Sequence, residues 1–118
     1  MMTAAVYLNG TWMTTHEGGY LPFTVDLTAE LKSGKNVIEV RVNNEDNPQI
    51  PPGKPLKDLD FNYYGGIYRN VKLIKTNEIH ITDAVHENIP GSGGVFVNFN
   101  SFRASTAKAQ VLVHVKNE

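Results

Sequence analysis

Apolar and polar residues alternate along most of this chain with a period of two, and almost nowhere with a helical period. Residues 4–8 read as a short buried strand. Asn9-Gly10 follows, a pair that takes positive φ readily and closes tight hairpins. Residues 11–15 are therefore expected to return alongside, with Trp12 on one face. His16-Glu17-Gly18-Gly19-Tyr20 reads as a loop carrying a glycine pair. Leu21, Phe23, Val25 and Leu27 alternate, which predicts a strand over 21–27. Thr28 is placed to cap one turn of helix through Leu31, ended by Gly34. Residues 36–43 carry the clearest strand, with Ile38, Val40 and Val42 on one face and Glu39 and Arg41 on the other. Ile67, Val71 and Leu73 predict a buried strand over 67–74, and Thr76-Asn77-Glu78 reads as a boundary. A new strand is expected over 79–85, a flexible turn at Pro90-Gly91-Ser92-Gly93-Gly94, and another strand over 95–102 with Val95, Val97 and Phe99 together. Val111, Val113 and Val115 alternate once more. The predicted class is all-β, of sandwich type.

Residues 44–66 break the pattern. They predict neither helix nor strand, and they hold Pro48, Pro51, Pro52 and Pro55, four of the six prolines. A loop of this length is uncommon in a compact domain unless it is functional or disordered. Prolines lower the entropy lost on ordering, and aromatic residues crowd its end, so it reads as a rigid binding loop. That end is Asp60-Phe61-Asn62-Tyr63-Tyr64-Gly65-Gly66-Ile67-Tyr68-Arg69. It gathers a carboxylate, an amide, four aromatic rings and a guanidinium, with two glycines that admit close backbone approach. Two readings are open. Carboxylate and amide oxygens accept hydrogen bonds from hydroxyls while rings cover apolar C–H faces, which suits a polyhydroxylated ligand. Alternatively the rings fill a core edge and Asp60 pairs with Arg69, the reading that composition alone favours.

Composition narrows the function classes. The chain has 118 residues, 41% hydrophobic and 19% charged, which fits a folded globular protein rather than a disordered one. Its net charge of −1 and lack of a basic block give no sign of nucleic acid or an anionic membrane as partner. There is no cysteine, hence no disulfide or thiol site. No apolar run is long enough to span a membrane, and the start lacks the layout of a signal peptide, so the sequence leaves location open. His80, His86 and His114 show no metal-ligand spacing and read as surface or sheet positions. Asp58 reads as solvated.

A series of motifs in fixed order is more specific than any of these. It runs Val6-Tyr7-Leu8-Asn9-Gly10, His16-Glu17-Gly18-Gly19-Tyr20-Leu21-Pro22-Phe23, Asp26-Leu27-Thr28, Gly34-Lys35-Asn36, Val42-Asn43-Asn44, Pro51-Pro52-Gly53 and Asp60 to Arg69. The series resembles the sugar-binding domain of glycoside hydrolase family 2, the β-galactosidases and β-glucuronidases, over about residues 4–76. Residues 79–118 resemble, more weakly, the start of the immunoglobulin-like domain that follows in that family. Asp58-Leu59-Asp60 and the Tyr-Gly-Gly-Ile-Tyr-Arg run look more like β-galactosidases. Asn43-Asn44-Glu45 and Pro-Pro-Gly recur in β-glucuronidases.

The resemblance implies a partial jelly-roll β-sandwich over 1–76, followed by a partial immunoglobulin-like β-sandwich over 77–118. Family members are retaining hydrolases whose two catalytic glutamates come from a TIM barrel. No catalytic residue is expected in these 118 residues, since they cannot hold a barrel. Asn44-Glu45, Asn77-Glu78 and Asn117-Glu118 match the asparagine–glutamate pair of the family's acid/base by chance. The acid at the position of Asp60 contacts the sugar at the non-reducing end and, in some β-galactosidases, helps hold a monovalent cation. Asp60 is therefore the expected substrate-binding residue, with Asn62 and Tyr63 as weaker neighbours. No cofactor is expected beyond a monovalent or divalent cation in a full enzyme.

The expected function is that of a non-catalytic sugar-binding part of a β-galactosidase-like hydrolase, with a β-galactoside as partner only in a full-length context. A β-glucuronidase fragment, a freestanding carbohydrate-binding module and a structural or oligomerisation module remain alternatives. Both halves look short of the roughly seven strands a sandwich needs. Exposed strand edges are therefore expected to favour a homo-oligomer. Trp12 reads as a core or hairpin-face residue before a sugar-stacking one. His16 and Glu17 read as turn-stabilising before ligand-facing. Arg69 reads as bonded to Asp60 or a backbone carbonyl before a ligand carboxylate.

Overall fold

A computed structural model describes residues 2–62 and 64–118. The chain is all-β, and it divides into two compact units, one through Lys72 and the other Leu73–Glu118.

The first unit is built on an antiparallel sheet of β1 (Thr3–Leu8), β2 (Thr11–Glu17) and β3 (Ile38–Asn43), in the order β2-β1-β3. Asn9 and Gly10 sit at φ 53° and 85°, the left-handed pair that matches the twist of a two-residue hairpin. The register then sets the faces. Ala4, Val6 and Leu8 of β1 lie opposite Val42, Val40 and Ile38 of β3, so the apolar residues share one face. A register shift at Val6/Tyr7 leaves Met13 as the extra residue of β2 and places Trp12 opposite Tyr7 on the other face. The buried hydrophobic residues are Met2, Ala4, Val6, Leu8 and Ile50. Ile50 is the notable member, because it belongs to the proline-rich loop and is buried there.

Several expectations need correction. Residues 21–27 form no strand, although Phe23, Val25 and Leu27 are half-buried and Thr24 and Asp26 exposed, as the alternation predicts. Thr28 does not cap a helix. Asp26 Oδ1 accepts from the Thr28 amide at 2.8 Å and starts a 3-10 turn over Thr28–Glu30. Residues 67–74 are not a buried strand: Ile67, Val71 and Leu73 are 49%, 77% and 81% exposed. Among the described residues, the loop 44–66 contains only turns and one 3-10 turn, Leu56–Asp58.

The second unit pairs β4 (Ile79–Ile81) with β7 (Val115–Asn117), and β5 (Val95–Arg103) with β6 (Thr106–Val113), all antiparallel. Between β4 and β5 lies a one-turn helix α1 (Ala84–Glu87), so Val85 is helical rather than the end of a strand. Asp83 caps it, its Oδ1 accepting from the amides of Val85 and His86 at 3.0 and 2.9 Å. Buried Thr82 ties the unit together. Its Oγ1 accepts from the Gly94 amide and lies 3.0 Å from His114 Nδ1. No helix among the described residues is long and apolar enough to cross a membrane.

Candidate functional site

The aromatic end of the long loop opens onto a cleft of about 440 Å³ lined by Tyr20, Phe61, Asn62 and Tyr64. Two separate segments build it. Tyr20 comes from the turn after β2, where Gly18 takes a φ of 95°. Phe61, Asn62 and Tyr64 come from the loop that ends at Gly65-Gly66. Tyr20 and Phe61 meet edge to face, with ring centroids 6.1 Å apart. Tyr64 stacks on Tyr68 at 6.2 Å, and the Arg69 guanidinium lies 5.4 Å from the centre of the Tyr68 ring. The Tyr68 hydroxyl donates to the Gly19 carbonyl at 2.9 Å and joins the two segments. Among the described residues the lining is thus three aromatic rings and one asparagine, an arrangement suited to a ligand with an apolar face and a rim of hydroxyls.

Asp60 is exposed and stands at a bend just before the cleft-lining residues. Among the described residues its carboxylate makes no hydrogen bond and no ion pair. The alternative pairing of Asp60 with Arg69 is therefore absent, and Arg69 is exposed over Tyr68 instead. An aromatic face offers a guanidinium a comparable partner without desolvating a carboxylate. Asn62 lines the cleft. Tyr63 lies outside the described residues. Asp58 is exposed at the end of its 3-10 turn. No three His, Cys, Asp or Glu side chains gather to hold a metal ion among the described residues.

Other singled-out residues sit away from the cleft. His16 belongs to β2, not to a loop. Its ring stacks on Phe23 with centroids 4.4 Å apart, and among the described residues its buried Nε2 has no hydrogen-bond partner. Stacking, rather than turn-stabilising hydrogen bonds, holds it. Trp12 is 59% exposed on the hairpin face, with Nε1 donating to Thr15 Oγ1 at 3.2 Å. His80 lies in β4, with Nδ1 placed to donate to the carbonyls of Asn77 and Glu78 at 3.0 and 3.2 Å. Tyr20 is the lining residue that the sequence patterns did not single out. Its one signal was an aromatic residue directly after a glycine pair.

Comparison with known proteins decides the family. Residues 2–77 match the family described as glycosyl hydrolases family 2, sugar binding domain. The chain belongs to this family. Within glycosyl hydrolases family 2, a β-galactosidase of Thermoanaerobacter pseudethanolicus is 44% identical over 82 residues, 68% of this chain and 11% of that protein. A β-glucuronidase of Formosa agariphila is 34% identical over 98% of this chain and 12% of its own length. A crystal structure described as a β-galactosidase from Bacteroides fragilis superposes with a TM-score of 0.78 at 34% identity, over 98% of this chain and 16% of that one. The chain thus spans from about a tenth to about a fifth of the length of the curated relatives it matches. The family segment contains the whole cleft, from Tyr20 to Tyr64.

Proposed function

We propose that this chain supplies a sugar-facing wall to a family 2 glycoside hydrolase acting on terminal β-galactosides, and that it has no hydrolytic activity by itself. The observation that carries this reading is the cleft of Tyr20, Phe61 and Tyr64 with the Asn62 amide inside it. Beside it stands the Asp60 carboxylate, which has no partner among the described residues. Rings take up the apolar C–H face of a galactose ring, and Asn62 and Asp60 accept from its hydroxyls. The glutamates of a retaining mechanism stand about 5–5.5 Å apart across the scissile bond. Glu45 lies in the long loop, whereas Glu78 and Glu118 flank the paired strands β4 and β7, a setting unlike the barrel-strand ends from which the family's glutamates come. The roles of Asp60, Asn62 and Tyr63 follow from the family resemblance and, for Asn62, from its place in the cleft. The second unit, with its antiparallel hairpin, is read as the opening part of an immunoglobulin-like domain.

A β-glucuronide is the second substrate reading, favoured by the Formosa agariphila relative and by the exposed guanidinium of Arg69. Titration of the chain with methyl β-D-galactopyranoside and with methyl β-D-glucuronide, followed by NMR, separates the two. The galactoside is expected to shift the Tyr20, Phe61, Asn62 and Tyr64 signals with a millimolar or weaker Kd. Submillimolar affinity would instead mark a freestanding binding module. Cleavage of a chromogenic galactoside by the purified chain would overturn the non-catalytic reading.

A further inference from the structure

We propose that Tyr68 is the positioning residue of the cleft, a clamp that sets three lining rings without touching the sugar. The inference rests on the sugar-facing reading of the cleft, but its geometry stands apart from it. Tyr68 is not among the residues that line the cleft. Yet each of the three lining rings among the described residues leads back to it. Its own ring carries Tyr64 in a stack at 6.2 Å and 30°. Its hydroxyl donates to the Gly19 carbonyl at 2.9 Å, 49 residues away in the chain. Gly19 is the residue directly before Tyr20, so this bond fixes the turn that presents the Tyr20 ring. Tyr20 in turn meets Phe61 edge to face.

The turn needs such a clamp. Gly18 and Gly19 place no side chain between β2 and Tyr20, and glycine leaves the backbone more conformations than any other residue. Gly65 and Gly66 give the other segment the same freedom, with Gly66 at a φ of 70°. Two glycine-hinged segments bearing rings would sample many relative positions. One phenolic hydrogen bond and one stacked pair remove that freedom before any ligand arrives, which is where preorganisation gains affinity. Arg69 over the Tyr68 face holds the ring from its own backbone, 5.4 Å from the centroid.

Tyr68→Phe tests the clamp, since it removes only the hydroxyl and keeps the stack. The 118-residue chain serves for the experiment. Three NMR readouts are expected to change: the Gly19 amide shifts, the Tyr20–Phe61 ring cross-peaks weaken, and affinity for methyl β-D-galactopyranoside falls roughly fivefold, the equivalent of one net hydrogen bond. The β1–β2 cross-strand signals and the melting profile are expected to stay as in the parent. Tyr68→Leu, which also loses the stack, is expected to shift Tyr64 as well. Unchanged Tyr20–Phe61 cross-peaks in Tyr68→Phe overturn the proposal. So does an affinity that holds at the parent value after those two rings have separated. Disappearance of the β1–β2 signals together with the ring cross-peaks would reduce Tyr68 to a general structural residue and overturn it too. If the parent chain does not respond to the galactoside, the sugar reading fails instead. The Tyr20–Phe61 cross-peaks then decide the clamp alone.

Discussion

Asp60 and Glu87 are two carboxylates in opposite circumstances, and the difference fixes what each can be asked to do. Asp60 is exposed and has no partner among the described residues. Its removal therefore costs the fold little, while a ligand would gain charge-assisted hydrogen bonds of about 1.5–3 kcal/mol from it. Asp60→Ala is expected to leave the melting temperature unchanged and to weaken galactoside binding by roughly tenfold or more, read by NMR titration. An equal response in parent and variant would remove Asp60 from the site. Glu87 is already engaged. Its Oε1 lies 2.7 Å from Lys116 Nζ, joining α1 to β7. The hydrogen bond from Lys116 holds the Glu87 carboxyl below its ordinary 4.5, and the same bond raises Lys116 above its ordinary 10.5. The folded Glu87 binds its proton less readily than the unfolded one. Its contribution is thus present above about pH 5 and is lost as pH falls through the depressed value. The Lys116 contribution is present at neutral pH and is lost as pH rises past the raised value. Glu87→Gln is expected to flatten the acid limb of a stability profile measured by thermal melts between about pH 3 and 7. A profile with an undiminished acid limb would show that other carboxylates set it.

Elements formed where local chemistry and a partner strand agreed. Asn9-Gly10 demanded a hairpin, and β1 paired with β2 in a register that takes one extra residue at Met13. Residues 36–43 alternated, and β1 was there to pair with them. Residues 67–74 alternate as well, but they find no ladder partner among the described residues, and their apolar side chains stay exposed. Periodicity states which face would be buried and leaves open whether another strand arrives. The cleft was half legible for a related reason. Asp60 to Arg69 announced itself by density of chemistry in one stretch, whereas Tyr20 joins it through a hydrogen bond spanning 49 residues that no local pattern encodes. The join between hairpin and β3 also depends on an unannounced side chain. Asn36 Oδ1 accepts from Asn9 Nδ2 and from the Lys32 amide, both at 2.9 Å, and its Nδ2 donates to the Lys32 and Gly34 carbonyls. Asn9 Oδ1 accepts in return from the Val37 amide at 3.0 Å. Asn36→Ala breaks all of the Asn36 bonds at a partly solvated site and is expected to cost about 2 kcal/mol, read as a lower urea midpoint. A midpoint within error of the parent would mean that water replaces Asn36 without loss.

At the scale of the whole molecule, the apolar surface that finds cover is small beside the surface that does not. The β5–β6 register sorts its residues by face. Val95, Val97 and Phe99 lie opposite Val113, Val111 and Ala109, and the shift after Phe99 keeps Phe102, opposite Ala107, on that same face. Phe99 and Phe102 accordingly stack at 5.7 Å. The reverse face begins with the pair Phe96 and Leu112 and is polar beyond it, through Asn98, Gln110, Ser101 and Lys108. One face is thus wholly apolar, and every residue on it is exposed. A two-stranded hairpin is marginal in water without a third layer or a partner, and a contiguous apolar patch of this kind draws association. The chain is therefore expected to self-associate through this face and through the edges of β5 and β6 that pair with no other strand among the described residues. Light scattering should give a mass that rises with protein concentration, and Val97→Lys, which plants a charge in the middle of the face, should return the chain to monomer. Val97 belongs to the second unit and the cleft residues to the first, so galactoside shifts at Tyr20 and Phe61 are expected to persist in the monomeric variant. A parent chain that stays monomeric at high concentration would assign the face to a different partner, and disappearance of those shifts on monomerisation would tie sugar binding to assembly.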